Sequence, residues 1–182
     1  MLVISKELDA NKRNNYQHSE RLTFYASLVV SSNKKVIYSE RPPGFGKTWE
    51  NILICVYFNR HLEMKPIYCT ISSGLQKQVE DKVASLGNDE FKVVLPRQLN
   101  EYLLKGKVIV VFDEYYNELR NSALYYDVRG NLPAVFHAGD DSSNARLVIS
   151  TGHFSKQFKE FLLQRFSSVD VGVCHSDFDP EN

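Results

Sequence analysis

Six short apolar, β-rich runs alternate along this chain with longer amphipathic stretches, and that alternation constrains the fold more than any other feature. The residue pattern predicts strands at Lys35–Ser39, Pro66–Ile71, Phe91–Leu95, Lys107–Phe112, Arg146–Ser150 and Val169–Cys174. It predicts helices at Ser19–Val30, Lys47–Phe58, Leu75–Leu86, Arg97–Leu104 and Ser155–Phe166. Phe158, Phe161, Leu162 and Arg165 recur at helical spacing, with Ser155 placed as an N-cap, and Leu75, Val79, Val83 and Leu86 form an apolar stripe. Several strands are near-continuous apolar runs, as strands covered on both faces are. Strands alternating with helices imply an α/β fold of three layers, a mainly parallel sheet flanked by helices. In such folds ligands sit beyond the carboxyl ends of the strands, so the residues that follow each strand carry the functional reading. The segment Asn117–Ala145 breaks the pattern, and its polar run Gly139–Asn144 reads as an exposed loop.

Composition narrows the class. The 182 residues suit one domain, and 43% hydrophobic with 24% charged residues is ordinary for a globule and excludes wholesale disorder. Lys+Arg and Asp+Glu are 22 each, which excludes a chain-wide basic coat for nucleic acid but not a local patch. No apolar run approaches the roughly 18 residues of a membrane helix, and the N-terminal apolar stretch is too short for a signal peptide. Cys55, Cys69 and Cys174 are scattered with no CxxC, so neither a disulfide framework nor a zinc site is expected. A reducing, cytoplasmic interior is the expected compartment. The expected organisation is a helical appendage at 1–34, a core at 35–176 and a tail at 177–182.

The first strand runs into Glu40-Arg41-Pro42-Pro43-Gly44-Phe45-Gly46-Lys47-Thr48, and a helix follows. Glycines let a backbone wrap with its N–H groups inward, and the helix N-terminus adds partial positive charge. The tract resembles a Walker A phosphate loop. That resemblance implies that Pro43, Gly44, Phe45 and Gly46 cradle a nucleotide, that Lys47 reaches its β- and γ-phosphates, and that the Thr48 hydroxyl binds Mg²⁺. The full pattern has glycine where this chain has Arg41, a departure expected to tighten or distort the start of the loop. The competing reading is a Gly/Pro turn.

Two strand–helix units later, Lys107-Val-Ile-Val-Val-Phe-Asp113-Glu114 is a buried strand ending in two acids. It resembles the Walker B motif of the additional-strand class of P-loop ATPases. Asp113 would then hold Mg²⁺ through water and Glu114 would act as general base on the attacking water. An ordinary turn after a strand would end the same way.

The remaining strand ends resemble the first RecA-like lobe of superfamily 1 and 2 helicases. Ser150-Thr151-Gly152 stands where those proteins carry a polar motif beside the γ-phosphate. Ser72 and Ser73 stand where a backbone-contacting motif lies, although a plain N-cap explains either. Arg97 follows the third strand, at another phosphate-contacting position. Gln17, upstream of the loop, matches an adenine-reading glutamine. The resemblance implies Mg²⁺-dependent ATP hydrolysis coupled to RNA or DNA, and a second RecA-like lobe or neighbouring protomer to complete the site. Arg129, Arg146 and Arg165 are the candidate arginines for acting on such a neighbour. Viral helicase lobes share endings like Asp113-Glu114-Tyr115, which would place the protein in host cytoplasm. A nucleoside-type kinase, a genome-packaging ATPase and a non-catalytic nucleotide-binding or assembly module remain open. Tyr115, Tyr116, Tyr125 and Tyr126 could stack on bases or pack against the sheet. Trp49 reads as core.

Overall fold

The strands are β1 (Val36–Glu40), β2 (Lys65–Cys69), β3 (Lys92–Val94), β4 (Val108–Asp113), β5 (Ala145–Thr151) and β6 (Val171–His175). Between them lie helices α1 (Lys47–Leu62), α2 (Ser73–Ala84), α3 (Asn100–Leu103) and α4 (Lys156–Arg165). This is a computed structural model that describes residues 26–31, 34–41, 46–70, 72–95, 98–103, 106–113, 144–151, 156–166 and 171–175. Residues 26–31 are helical, overlapping the end of the expected Ser19–Val30 helix and running one residue past it. The proposed N-cap Ser155 and residues 139–143 of the expected exposed loop lie outside the described residues, and Asn144, the loop's last residue, is exposed.

The six strands form one sheet in the order β3-β2-β4-β5-β1-β6. Every pairing in it is parallel. Parallel neighbours need crossovers, and the helices supply them on both faces. The chain is thus a three-layer α/β fold with the RecA-like arrangement, in which β5 is inserted between β1 and the strand β4 that ends at Asp113.

Strand parity divides the core in two, because alternate side chains face opposite sides of a sheet. Ile37, Tyr68, Ile109, Val111 and Val148 face α1, α2 and the helical residues Ala26 and Val29. Tyr38, Ile67, Cys69, Val110, Phe112, Leu147 and Ile149 face the other side, where Leu99, Leu162 and Phe166 pack. Trp49 is in the first cluster, as expected. Helix α1 is buried along most of its length, from Trp49 to Val56 and again at Phe58, so it sits against the sheet as a central element.

Element ends shift by a few residues for local reasons. Helix α1 runs past Phe58 to Leu62, through a polar last turn that an apolar pattern does not mark. It stops where Glu63 turns left-handed at φ 54° and Met64 N–H returns to Phe58 O at 3.2 Å. Helix α2 begins at Ser73, ahead of the expected Leu75, because Ser72 Oγ accepts the Leu75 N–H at 3.3 Å. Helix α3 is one turn, Asn100–Leu103, where a longer Arg97–Leu104 helix was expected; Gln98 instead folds back, its Oε1 accepting the Leu95 N–H at 2.9 Å. Among the described residues no helix is long and apolar enough to cross a membrane.

Candidate functional site

At the carboxyl end of the sheet, the inward face changes from apolar to polar at a single level. The register sets Asp113 opposite Ser150, and Ser150 opposite Ser39. These three residues share the parity of Val111, Val148 and Ile37, so they face α1. Asp113, Ser150 and Ser39 are all buried, as is Thr70 one residue beyond β2. Ser150 Oγ finds no hydrogen-bond partner among the described residues, a costly arrangement for a buried hydroxyl.

The first turn of α1 faces this polar level. Gly46 is its N-cap in the left-handed region at φ 92°, a conformation that a side chain at this position would strain. From there Lys47 Nζ reaches Asp113 Oδ1 at 3.6 Å, with the two side chains only 12% and 9% exposed. The other carboxylate oxygen, Oδ2, accepts the hydroxyl of Tyr68, which arrives from β2. Thr48 and Asn51 face the same phenol from α1. Burial, then the neighbouring Asp113 charge and hydrogen bond, hold the Tyr68 hydroxyl well above its ordinary pKa, so it is a neutral donor. The adjacent Lys47 and Thr48 and the sequence-distant Asp113 therefore meet in one place. Tyr68 and Asn51 complete the group, and no sequence motif marked them.

Arg41 takes a separate partner on the same helix. The residue is 2% exposed and lies against Glu50 of α1, itself 1% exposed. Nε donates to Glu50 Oε1 and Oε2 at 3.1 Å each, and Nη2 to Oε1 at 3.0 Å. Nη1 donates to the Glu40 carbonyl at 2.9 Å. The arginine in place of glycine is thus the buried tie between the end of β1 and the first turn of α1. Burial pushes the Glu50 carboxyl above its ordinary value, while Arg41 and then Lys47 pull it back. The signal was present in the sequence: Glu50 and Asn51 are polar residues immediately before the apolar run Ile52–Val56.

Other expected site residues divide between placement elsewhere and no placement. Ser72 caps α2, and Ser72 and Ser73 are exposed. Thr151 ends β5, with only its backbone described. Arg146 sits at the opposite, amino end of β5, its guanidinium 5.5 Å from the centre of the Phe58 ring, so it does not join the polar level. Arg165 lies over Phe166 at 5.1 Å. Gln17, Pro43, Gly44, Phe45, Arg97, Glu114, Arg129, Tyr115, Tyr116, Tyr125 and Tyr126 lie outside the described residues.

A hydroxyl and a carboxylate are hard oxygen donors of the kind Mg²⁺ takes when substrate phosphates supply further ligands. Thr48 and Asp113 fit that requirement, each in contact with Tyr68. No group of three or more His, Cys, Asp or Glu side chains that could hold a metal occurs among the described residues.

No protein-family model matches the chain, and no curated protein matches it. Solved structures do. A hypothetical ATP-dependent RNA helicase from Sulfolobus tokodaii superposes with a TM-score of 0.55 at 15% identity, over 97% of this chain and 57% of that one. The Hef helicase domain of Pyrococcus furiosus superposes at 0.52 and 14% identity, over 85% of this chain and 38% of that one. The chain therefore shares the three-layer RecA-like fold of those structures, and it spans about half or less of their length.

Proposed function

We propose that this chain is a Mg²⁺-dependent ATPase lobe whose turnover is coupled to single-stranded nucleic acid. The observation that carries the reading is the convergence of Lys47, Thr48 and Asp113 at the carboxyl end of the central strands. Lys47 would leave Asp113 for the phosphates of the nucleotide, and the helix start at Gly46 would add its N–H groups. Thr48 and Asp113 would hold Mg²⁺, which when bound neutralises phosphate charge. Ser150, buried beside Asp113, supplies a hydroxyl for the terminal phosphate, and Glu114, next in the chain, is assigned as general base.

The coupling to nucleic acid rests on the fold shared with helicase structures, and Ser72 and Ser73, exposed at the start of α2, are the surface assigned to it. A second lobe or a neighbouring protomer is assigned the missing arginine. The test is phosphate release from ATP with Mg²⁺, with and without single-stranded RNA and DNA, beside Lys47→Ala. Stimulation by a polynucleotide that is lost in Lys47→Ala supports the reading. Stimulation by nucleosides alone would favour a kinase. Nucleotide binding without turnover would favour an assembly module.

A further inference from the structure

We infer that Tyr68 is the positioning residue of the metal-holding pair: its hydroxyl fixes Asp113 so that one carboxylate oxygen is committed to Tyr68 and the other faces Lys47 at the start of α1. The inference rests on the nucleotide reading above and assigns within that site a residue outside both nucleotide motifs.

The geometry divides the carboxylate. Oδ2 accepts from Tyr68, and Oδ1 lies 3.6 Å from Lys47 Nζ, on the side of the α1 start. A carboxylate can accept several hydrogen bonds through two oxygens and is free to rotate about its terminal torsion. The phenol removes that freedom. It is fully buried in the core between the sheet and α1, so its own position is set by packing rather than by solvent. A hydroxyl offers one donor and two acceptor sites. The donor goes to Asp113, while Thr48 and Asn51 face the same oxygen, so one atom touches both side chains assigned to Mg²⁺.

Register explains why β2 supplies this group. Tyr68 pairs with Val111, two residues before Asp113 on the same face of β4. A side chain as long as tyrosine spans that step toward the carboxyl end, and a shorter one would not. The bond is charge-assisted, and its loss removes a hydrogen bond from a buried carboxylate.

The test uses the full chain and ADP, which binds without turnover. Affinity is measured with Mg²⁺ and with chelator, for wild type and Tyr68→Phe, with far-UV circular dichroism to confirm folding. The expected result is unchanged affinity in chelator and a loss of about tenfold or more in the Mg²⁺-dependent tightening, the size of a charge-assisted hydrogen bond. Full tightening in Tyr68→Phe would make the tyrosine a packing residue and overturn the inference, leaving the nucleotide reading intact. So would wild-type ADP binding that ignores Mg²⁺. A wild type that binds no ADP under either condition overturns both. Should Tyr68→Phe not fold, 3-fluorotyrosine placed at position 68 keeps the shape and strengthens the donor. A changed Mg²⁺ increment with constant affinity in chelator then supports the inference, and an unchanged increment overturns it.

Discussion

Cutting the Arg41–Glu50 tie should be among the most damaging single changes in this protein. Both groups are almost fully buried and joined by three hydrogen bonds between 3.0 and 3.1 Å. Arg41→Ala removes the counter-charge and every donor that Glu50 uses in that pair. Breaking a buried pair from one side costs about 3–5 kcal/mol, because the surviving charge has lost its solvent and its partner. Against a typical total of about 5–15 kcal/mol, the variant folds with little margin. At a urea slope of roughly 2 kcal/mol/M, the midpoint falls by about 1.5–2.5 M. Replacing both residues, as Arg41→Met with Glu50→Leu, removes the desolvated charges together and should bring stability back close to wild type.

The cost must also depend on pH, with a defined sign. The Glu50 carboxyl is already raised above 4.5 by burial, and Arg41 is the main group opposing that shift. A carboxyl whose folded pKa is raised adds stability that is complete below its unfolded pKa and is lost as pH rises through the folded one. Removing Arg41 raises the folded value further, so the variant loses more than wild type on the way to neutrality. The difference between the two proteins is therefore smallest below pH 4.5 and largest at pH 7. Urea unfolding at both pH values measures it. An Arg41→Ala penalty under about 1 kcal/mol at neutral pH, or one that does not change with pH, would refute the reasoning.

Lys47→Ala should abolish ATP turnover and weaken nucleotide binding while leaving the circular dichroism spectrum unchanged, since the lysine's partner Asp113 keeps the Tyr68 bond. Glu114→Gln should keep ATP binding, measured by titration, and stop phosphate release; turnover at the wild-type rate would remove Glu114 as the base. Ser72→Ala should cost about 1 kcal/mol in urea unfolding through the lost cap; reduced polynucleotide affinity at equal folding would add the phosphate contact. Cys55 and Cys69 are buried, with thiols pushed upward by burial, so in a Cys174→Ser variant no thiol should react with a disulfide reagent until denaturant is added.

What the chain revealed by reading alone was its local content. Six strands and the helices between them follow from patterns a few residues long, and the Gly46-Lys47-Thr48 turn is a motif whose parts are adjacent. What reading missed depends on which strands lie side by side. Tyr68 and Asp113 are 45 residues apart, and nothing in either segment names the other. Their contact requires β2 to neighbour β4, and the parallel register to set Tyr68 against Val111. Arg41 is different, because its partner is only nine residues away and the clue was physical. A charge at the end of a buried strand must find an opposite charge or face water. Glu50 is the first acid after it, in the first turn of the helix that follows that strand. Read that way, an arginine where the pattern has glycine predicts an ion pair with the helix that follows. That buried salt bridge ties the end of β1 to the first turn of α1, and the left-handed turn into the helix falls to Gly46.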